Sequence, residues 1–375
     1  MTRHAGRSPS VKGCSPVPPE LRIGGGMSLG GRTTLGVGGE ARWFAVATAV
    51  GDIGAAEEWC DARGCELFVL GGGSNLVIAD EGFDGLVLWM CNRQLDFTDT
   101  SEGAILTAGA GEVWDAVVAA AVERGLAGLE CLSGIPGQVG GTPIQNVGAY
   151  GQDVSQTIAS VTAFDRSTRT VVDIPADECD FAYRMSRFKS DDAGRFVVTR
   201  VSFRLRRIVA APTYPDVLAH LHDQQITAPT VADLRRAVIA IRRRKGMVLD
   251  DADPDTRSVG SFFMNPVVAV TDRERIAAQA GMPPSFAVDD GHVKLPAAWL
   301  IERAGFRKGD VDGPVGISTK HPLALVNRGG ATARDVLRLA VRIKRGVADR
   351  FGVLLRPEPI FVGFGDDAAV TYLRS

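Results

Sequence analysis

What this 375-residue sequence lacks narrows its function before any motif does. Its six cysteines (Cys14, Cys60, Cys65, Cys91, Cys131 and Cys179) include no C-x-x-C pair. Disulfide frameworks and zinc sites both need tighter spacing, so neither is expected, and no other metal site is expected. No G-x-x-x-x-G-K-S/T stretch occurs, which excludes a P-loop. The net charge is only -2, so no global basic field points to nucleic acid or to an anionic membrane. Any anion must then be met by a local cluster. The longest uncharged run, 131–152, is long enough to span a bilayer. Its six glycines, two prolines, Asn146 and three glutamines exclude a spanning helix. Residues 1–26 carry Arg3, His4 and Arg7 but no apolar signal-peptide core. They read as a disordered tail, Met27 is a candidate start, and a cytoplasmic protein is expected.

What is present is ordinary in bulk, with 45% apolar and 23% charged residues. At roughly 100–200 residues per domain the length implies two or three units. Short apolar runs bounded by glycine predict strands over 41–47, 65–71, 75–80, 85–90 and 105–111. Helices are predicted over 52–63 and 112–125, the latter from Val113, Val117, Ala121 and Val122 and a stop at Gly125. SVTAFD, TVVDIP and FVVTRVSFRL alternate with period two, as antiparallel strands do. Longer amphipathic helices are predicted over 229–246 and 331–352, separated by the Asp- and Pro-rich link 250–255. The fold class is α+β.

Several stretches carry chemistry, each with a bland alternative. GVGGEA (36–41) and GAGEVW (109–114) only partly fit a dinucleotide fingerprint, because the first follows a weak strand and the second lacks its third small residue. LGGGSN (70–75) sits at a strand end, where glycine N–H groups and Ser74 suit a pyrophosphate. GIPGQVGGTPIQNVGAYG (134–151) has irregular glycines and no charge, which suits backbone approaching a flat ligand closely, or a tight structural loop. YRMSRFK (183–189) is either a solvated turn or an anion clamp built on Arg184, Arg187 and Lys189. In IRRRKG (241–246) a solvated helix end competes with an inward Lys245. Ser261 in SVGSFFMNP lacks a G-x-S-x-G context, and none of the five histidines lies in a motif, so a Ser–His–Asp triad has little support. Glu358, between prolines in RPEPIFVG, is either a surface charge or a carboxylate delivered by a rigid turn.

Together TTLGVGG (33–39), LGGGSNLVIAD (70–80), GLECLSGIPGQVGGTPIQNVGAYG (128–151), YRMSRFK (183–189), GSFFMNP (260–266) and RPEPIFVG (356–363) resemble the UDP-N-acetylenolpyruvoylglucosamine reductase (MurB) family. They occur in that family's order, and PTYPDVL (212–218) is similar to its type I branch. The resemblance implies a vanillyl-alcohol-oxidase-type FAD-binding fold in two subdomains plus a separate α+β substrate domain. A tail over 1–28, subdomains over 29–89 with 353–375 and over 90–246, and a substrate domain over 247–352 are the boundaries expected.

The same resemblance implies non-covalent FAD, its diphosphate on Gly71, Gly72, Gly73, Ser74 and Asn75. Its ring would run along Gly134, Ile135, Pro136, Gly137, Gly140, Gly141, Gln145, Asn146, Gly148, Ala149 and Tyr150. No histidine occurs from 71 to 151, which removes a histidyl link there. NADPH would reduce FAD, and hydride from flavin N5 would reduce the enolpyruvyl group of UDP-N-acetylglucosamine enolpyruvate. Ser261 is implied as proton donor, with Arg184 and Glu358 at the substrate carboxylate and Tyr214, Lys245 and Asn265 on the diphosphate. Arg303 stands where glutamine is common, without an implied role. A monomer without nucleic-acid or membrane partners is expected. An FAD-dependent oxidase or dehydrogenase acting on an alcohol or hydroxy acid would share only the flavin stretches, and a non-catalytic flavin or nucleotide-sugar binding protein would have no need of Ser261, Arg184 and Glu358 together.

Overall fold

The computed structural model describes residues 21–375, so the first 20 residues of the tail expected over 1–28 lie outside the described residues. The first unit runs β1 (Ile23–Ser28), β2 (Glu40–Ala47), α1 (Val50–Asp61), β3 (Glu66–Leu70), β4 (Leu76–Ile78) and β5 (Phe83–Met90). Its sheet has the order β1-β2-β5-β3, with β2 and β3 both parallel to β5 and β1 antiparallel at the edge. Parallel strands are covered on both faces, which is why VLW-type runs rather than alternation mark them. On one face Ala45, Leu67, Leu86 and Leu88 pack against Ile53 and Ala56 of α1. On the other Phe44, Leu70, Ile78 and Val87 close a second cluster.

One expectation fails here. Residues 23–28, read as the end of the tail, form β1, paired from Ile23 opposite Ala45 to Ser28 opposite Glu40. Gly24, Gly25 and Gly26 give no strand pattern, yet their backbone completes the edge of β2 without needing side chains.

The second unit contains β6 (Leu95–Asp99), β7 (Gly103–Gly109), α2 (Trp114–Glu123), the short α3 (Gly141–Gln145), the hairpin β8 (Gly148–Ala149) and β9 (Gln152–Asp153), then β10 (Ile158–Asp165), β11 (Thr170–Pro175), β12 (Phe196–Arg206), α4 (Pro215–Asp223) and α5 (Val231–Arg244). Its five-stranded antiparallel sheet has the order β11-β10-β12-β7-β6. Along β12 Val201, Phe203 and Leu205 are buried while Arg200, Arg204 and Arg206 point away, the alternation the sequence predicts. α5 starts at the Thr230–Asp233 capping box and buries Leu234, Val238 and Ile241.

The third unit is built from β13 (Val267–Ala269), α6 (Val270–Ala280), β14 (Phe286–Ala287), β15 (His292–Lys294), α7 (Ala297–Arg303), β16 (Val311–Asp312), β17 (Val315–Ile317), β18 (Leu325–Asn327) and α8 (Ala333–Phe351). α8 buries Val336, Ala340, Ile343 and Val347 at helical spacing and ends at Gly352 in the left-handed region. The chain then returns to the first unit, where β19 (Ile360–Val362) pairs in parallel with β4, and closes with α9 (Ala368–Arg374).

Polar contacts pin the third unit to the first. The Asp80 carboxylate accepts from the N–H groups of Ala333 (2.6 Å) and Arg334 (3.1 Å) at the start of α8, where free donors and the helix dipole favour an anion. Buried Asn327 donates to the carbonyls of Leu35 (3.0 Å) and Gly36 (3.2 Å). Thr34 donates to Ser258 O at 2.6 Å. Among the described residues no helix is long and apolar enough to cross a membrane.

Candidate active site

The three units enclose one cleft of about 330 Å³, room for a ring system rather than for a few waters. One wall is backbone. Gly71, Gly72, Gly73, Ser74 and Asn75 follow β3 and line it, facing Ile135, Pro136, Gly137, Gly141, Gln145 and Gly148. A Cβ on Gly72 would lie 2.6 Å from Gly137 Cα, and one on Gly137 would lie 2.6 Å from Ser74 Oγ. Only glycine lets these two segments approach this closely.

The loop that begins this wall is anchored from behind. Gly134 N–H donates to Asp115 Oδ1 at 2.6 Å, and Arg235 holds the same carboxylate with contacts of 2.6 and 2.9 Å. Burial pushes the Asp115 carboxyl up, but Arg235 and the Gly134 N–H outweigh it and hold it below its ordinary value.

The remaining residues expected on the flavin stand behind this wall rather than in it. A Cβ on Gly140 would lie 2.8 Å from Ala110 Cβ, so that glycine serves close packing on the end of β7. Asn146 is left-handed (φ 41°), and its amide donates to Ala182 O at 2.9 Å while its Oδ1 accepts from Ser155 N–H at 3.2 Å. Ala149 lies in β8, and the Tyr150 ring packs edge-on against Tyr214 with centroids 5.2 Å apart.

The opposite wall is charged. Ser261, Arg184 and Glu358 all line the cleft, although 174 positions separate the last two in the chain. Backbone pairing assembles them: Ser261 bridges Ala324, Phe262 N–H donates to Leu323 O, and Glu358 N–H donates to Phe262 O at 2.9 Å. Buried Phe262 and Phe263 root this ribbon in the core.

Arg184 occupies the left-handed region at φ 55°, a strained conformation for a long side chain that costs roughly 1–3 kcal/mol. Its surroundings enforce it. Its Nη2 donates to Gly148 O at 2.6 Å, and Ser186 Oγ in the same turn donates to Ile144 O at 2.9 Å. Arg184 Nε stands 3.0 Å from Glu358 Oε1, close as an ion pair but off the line of a hydrogen bond. Burial pushes the Glu358 carboxyl up, and Arg184 and Lys189 only partly offset it. Such a carboxyl takes up a proton readily when a second anion arrives.

Among the described residues no histidine serves Ser261 as a base. His321 accepts the Leu323 N–H on Nδ1, and burial drives its pKa down to about 4, so it stays neutral. His292 pairs with Asp289, and His220 and His222 lie on α4.

The residues expected on the diphosphate are split. Tyr214 and Lys245 meet at Tyr150, with Lys245 Nζ 5.7 Å from its ring and bonded to Asp216 Oδ2 at 2.6 Å. Asn265 lies elsewhere, at the start of α7, where its Oδ1 accepts the Ala297 N–H at 2.9 Å. Arg303 ends α7 with its guanidinium 5.5 Å from the Trp299 ring, outside the cleft lining.

Among the lining residues that the sequence reading did not single out, two carry buried unpartnered polar atoms. Arg242 is buried with its Nε unpartnered, and its Nη2 donates to Met247 O at 2.7 Å. Its signal was spacing, since it follows Val238 by four positions and shares that inward face. Gln138 is buried with Oε1 lacking a partner at the cleft. A flat, polar-edged cofactor fits this wall, because the glycine cradle admits it and these orphaned groups need partners.

The comparisons agree with this geometry. The family profile described as FAD binding domain matches residues 41–174, which contain both glycine segments. That of UDP-N-acetylenolpyruvoylglucosamine reductase, C-terminal domain, matches 253–362, which contain Ser261 and Glu358. The UDP-N-acetylenolpyruvoylglucosamine reductase of Thermobifida fusca is 49% identical over 341 residues, covering 88% of this chain and 95% of its own. That of Saccharopolyspora erythraea is 50% identical over 351 residues, covering 90% and 95%. The crystal structure of UDP-N-acetylenolpyruvylglucosamine reductase from Thermus caldophilus superposes with a TM-score of 0.62 at 25% identity, covering 91% of this chain and 99% of that one.

Proposed function

Because the chain belongs to the UDP-N-acetylenolpyruvoylglucosamine reductase family of FAD-dependent oxidoreductases, we propose that it uses NADPH to reduce the enolpyruvyl group of UDP-N-acetylglucosamine enolpyruvate. The product is the lactyl ether UDP-N-acetylmuramate, a peptidoglycan precursor. The observation that carries this reading is the ribbon pairing that brings Ser261 and Glu358 onto one wall with Arg184, facing the glycine cradle.

FAD, when bound along Gly71 to Asn75 and Ile135 to Gly148, supplies the hydride. The cleft lining contains neither histidine nor cysteine, which supports non-covalent binding. The chain's own side chains handle charge and protons. Arg184 draws the substrate carboxylate and stabilises the enolate that forms beside it. Glu358 shares a proton with that carboxylate, since two bare carboxylates would repel, and its raised pKa favours this. Ser261 protonates the carbon. A hydroxyl is a weak acid, but an enolate is a strong base, and a positioned proton donor contributes roughly 10²–10⁴-fold.

Tyr214 and Lys245 would hold the diphosphate once Asp216 releases the lysine, and Asn265, its Oδ1 fixed by the Ala297 N–H, would offer its Nδ2 as donor. We take 29–89 with 353–375 and 90–246 as the FAD-binding subdomains and 247–352 as the substrate domain. The parallel β4–β19 pair supports the first of these divisions, which β1 extends to residue 23.

NADPH should bleach the yellow holoprotein without oxygen, and the enolpyruvyl sugar nucleotide should restore the colour. A holoprotein that stays bleached contradicts the reading.

A further inference from the structure

Lys189 is a partly buried lysine that the mechanism above does not use. Its Nζ donates to Gln145 Oε1 at 2.9 Å and reaches Arg184 O at 3.4 Å. Gln145 ends α3 and lines the cleft, and the Arg184 carbonyl belongs to the left-handed turn that aims the guanidinium. One ammonium therefore ties the far end of the glycine wall to the charged wall. It has no carboxylate within ion-pair distance among the described residues, although it shares the electrostatic environment of Glu358.

The charge count around Glu358 gives this a consequence. Arg184 and Lys189 bring two positive charges against one carboxylate. Tyr183 in turn feels Glu358; burial pushes its phenol up, so it stays neutral, and Lys294 Nζ lies 4.3 Å from its ring. The wall thus holds one positive charge in excess, next to where the substrate's carboxylate must sit.

We propose that Lys189 is a positioning residue for the reduction, fixing the Arg184 turn against Gln145 and supplying the charge that the substrate carboxylate neutralises. This rests on the function proposed above.

The test compares FAD-loaded Lys189→Met, Lys189→Gln and Lys189→Arg in the two half-reactions. Bleaching by NADPH should stay within about threefold. The KM for the enolpyruvyl substrate should rise about tenfold in the Met and Gln variants, the scale of one charged contact, with a smaller change at saturation. The Glu358 limb of the pH profile for colour recovery should move to higher pH, because removing a neighbouring cation makes that proton harder to lose. Lys189→Arg keeps the charge and should restore both.

An unchanged KM and pH limb in Lys189→Met overturns the proposal. So does a Lys189→Arg that behaves like Lys189→Gln. If both neutral variants shed FAD, Lys189→Arg must still retain it with the wild-type profile, and an arginine variant that sheds FAD overturns the charge argument. A wild-type holoprotein that the substrate cannot recolour sinks the functional reading instead, before any variant is made.

Discussion

The two walls of the cleft are built on opposite principles. The glycine wall, 71–75 with 134–148, recognises by what it leaves out, so that backbone reaches a ligand that side chains would exclude. The wall of Arg184, Ser261 and Glu358, backed by Lys189, instead presents charge and a hydroxyl, and its charges are held by contacts from elsewhere in the chain. The first wall has no room for an added methyl at Gly72, Gly73 or Gly137. The second tolerates shape changes but not changes of charge or proton. Substitutions on the glycine wall should therefore cost FAD itself, and substitutions on the charged wall should cost only the step that consumes the UDP-sugar.

The largest expected effect is on the glycine wall. A methyl at Gly73 would overlap the Arg32 carbonyl oxygen, at a residue already in the left-handed region (φ 63°). Gly73→Ala should purify colourless, with FAD affinity lowered at least about a hundredfold by titration and the melting temperature reduced. A yellow Gly73→Ala protein would remove the distinction between the walls.

Next comes the charged wall. Glu358→Gln should slow colour recovery by roughly 10²–10³-fold, the scale for losing one stabilising group at a developing charge. Its bleaching by NADPH and its FAD content should stay unchanged, read by stopped-flow absorbance.

A smaller effect is expected behind the glycine wall. Asp115→Asn weakens the hold of Arg235 and Gly134 and should destabilise the holoprotein by about 1–3 kcal/mol in denaturant titration. The native Asp115 carboxyl is held below its unfolded value, so its contribution is complete above the unfolded pKa. It disappears as pH falls through the depressed folded value, and Asp115→Asn should flatten that acid limb. The smallest effect belongs to Arg303, which stacks near Trp299 outside the cleft. Arg303→Gln should leave both half-reactions within about twofold and stability within about 0.5 kcal/mol.

The two walls also differ in how legible they were in the sequence. The 71–75 and 134–148 segments announced themselves, because clustered glycines without charge have few uses. The motif-matched trio of Ser261, Arg184 and Glu358 lines the same cleft. What stayed hidden depended on contacts between distant positions. Nothing local says that Lys189 meets Gln145, 44 residues earlier, or that Asn146 holds the Arg184 turn rather than lining the cleft. Arg242 was passed over because a charge at a helix end is normally solvated. β1 was missed because Gly24 to Gly26 carry no side-chain pattern, and its pairing depends wholly on β2. That Asn265 Oδ1 accepts the Ala297 N–H at the start of α7 is likewise an arrangement only the fold reveals.

The central claim, that the charged wall serves only the second half-reaction, is tested most directly by Ser261→Ala in anaerobic double-mixing stopped-flow. Bleaching by NADPH should proceed at the wild-type rate, while recolouring by the enolpyruvyl substrate should fall by roughly 10²–10⁴-fold. Equal loss in both steps would contradict the account and make Ser261 a structural residue.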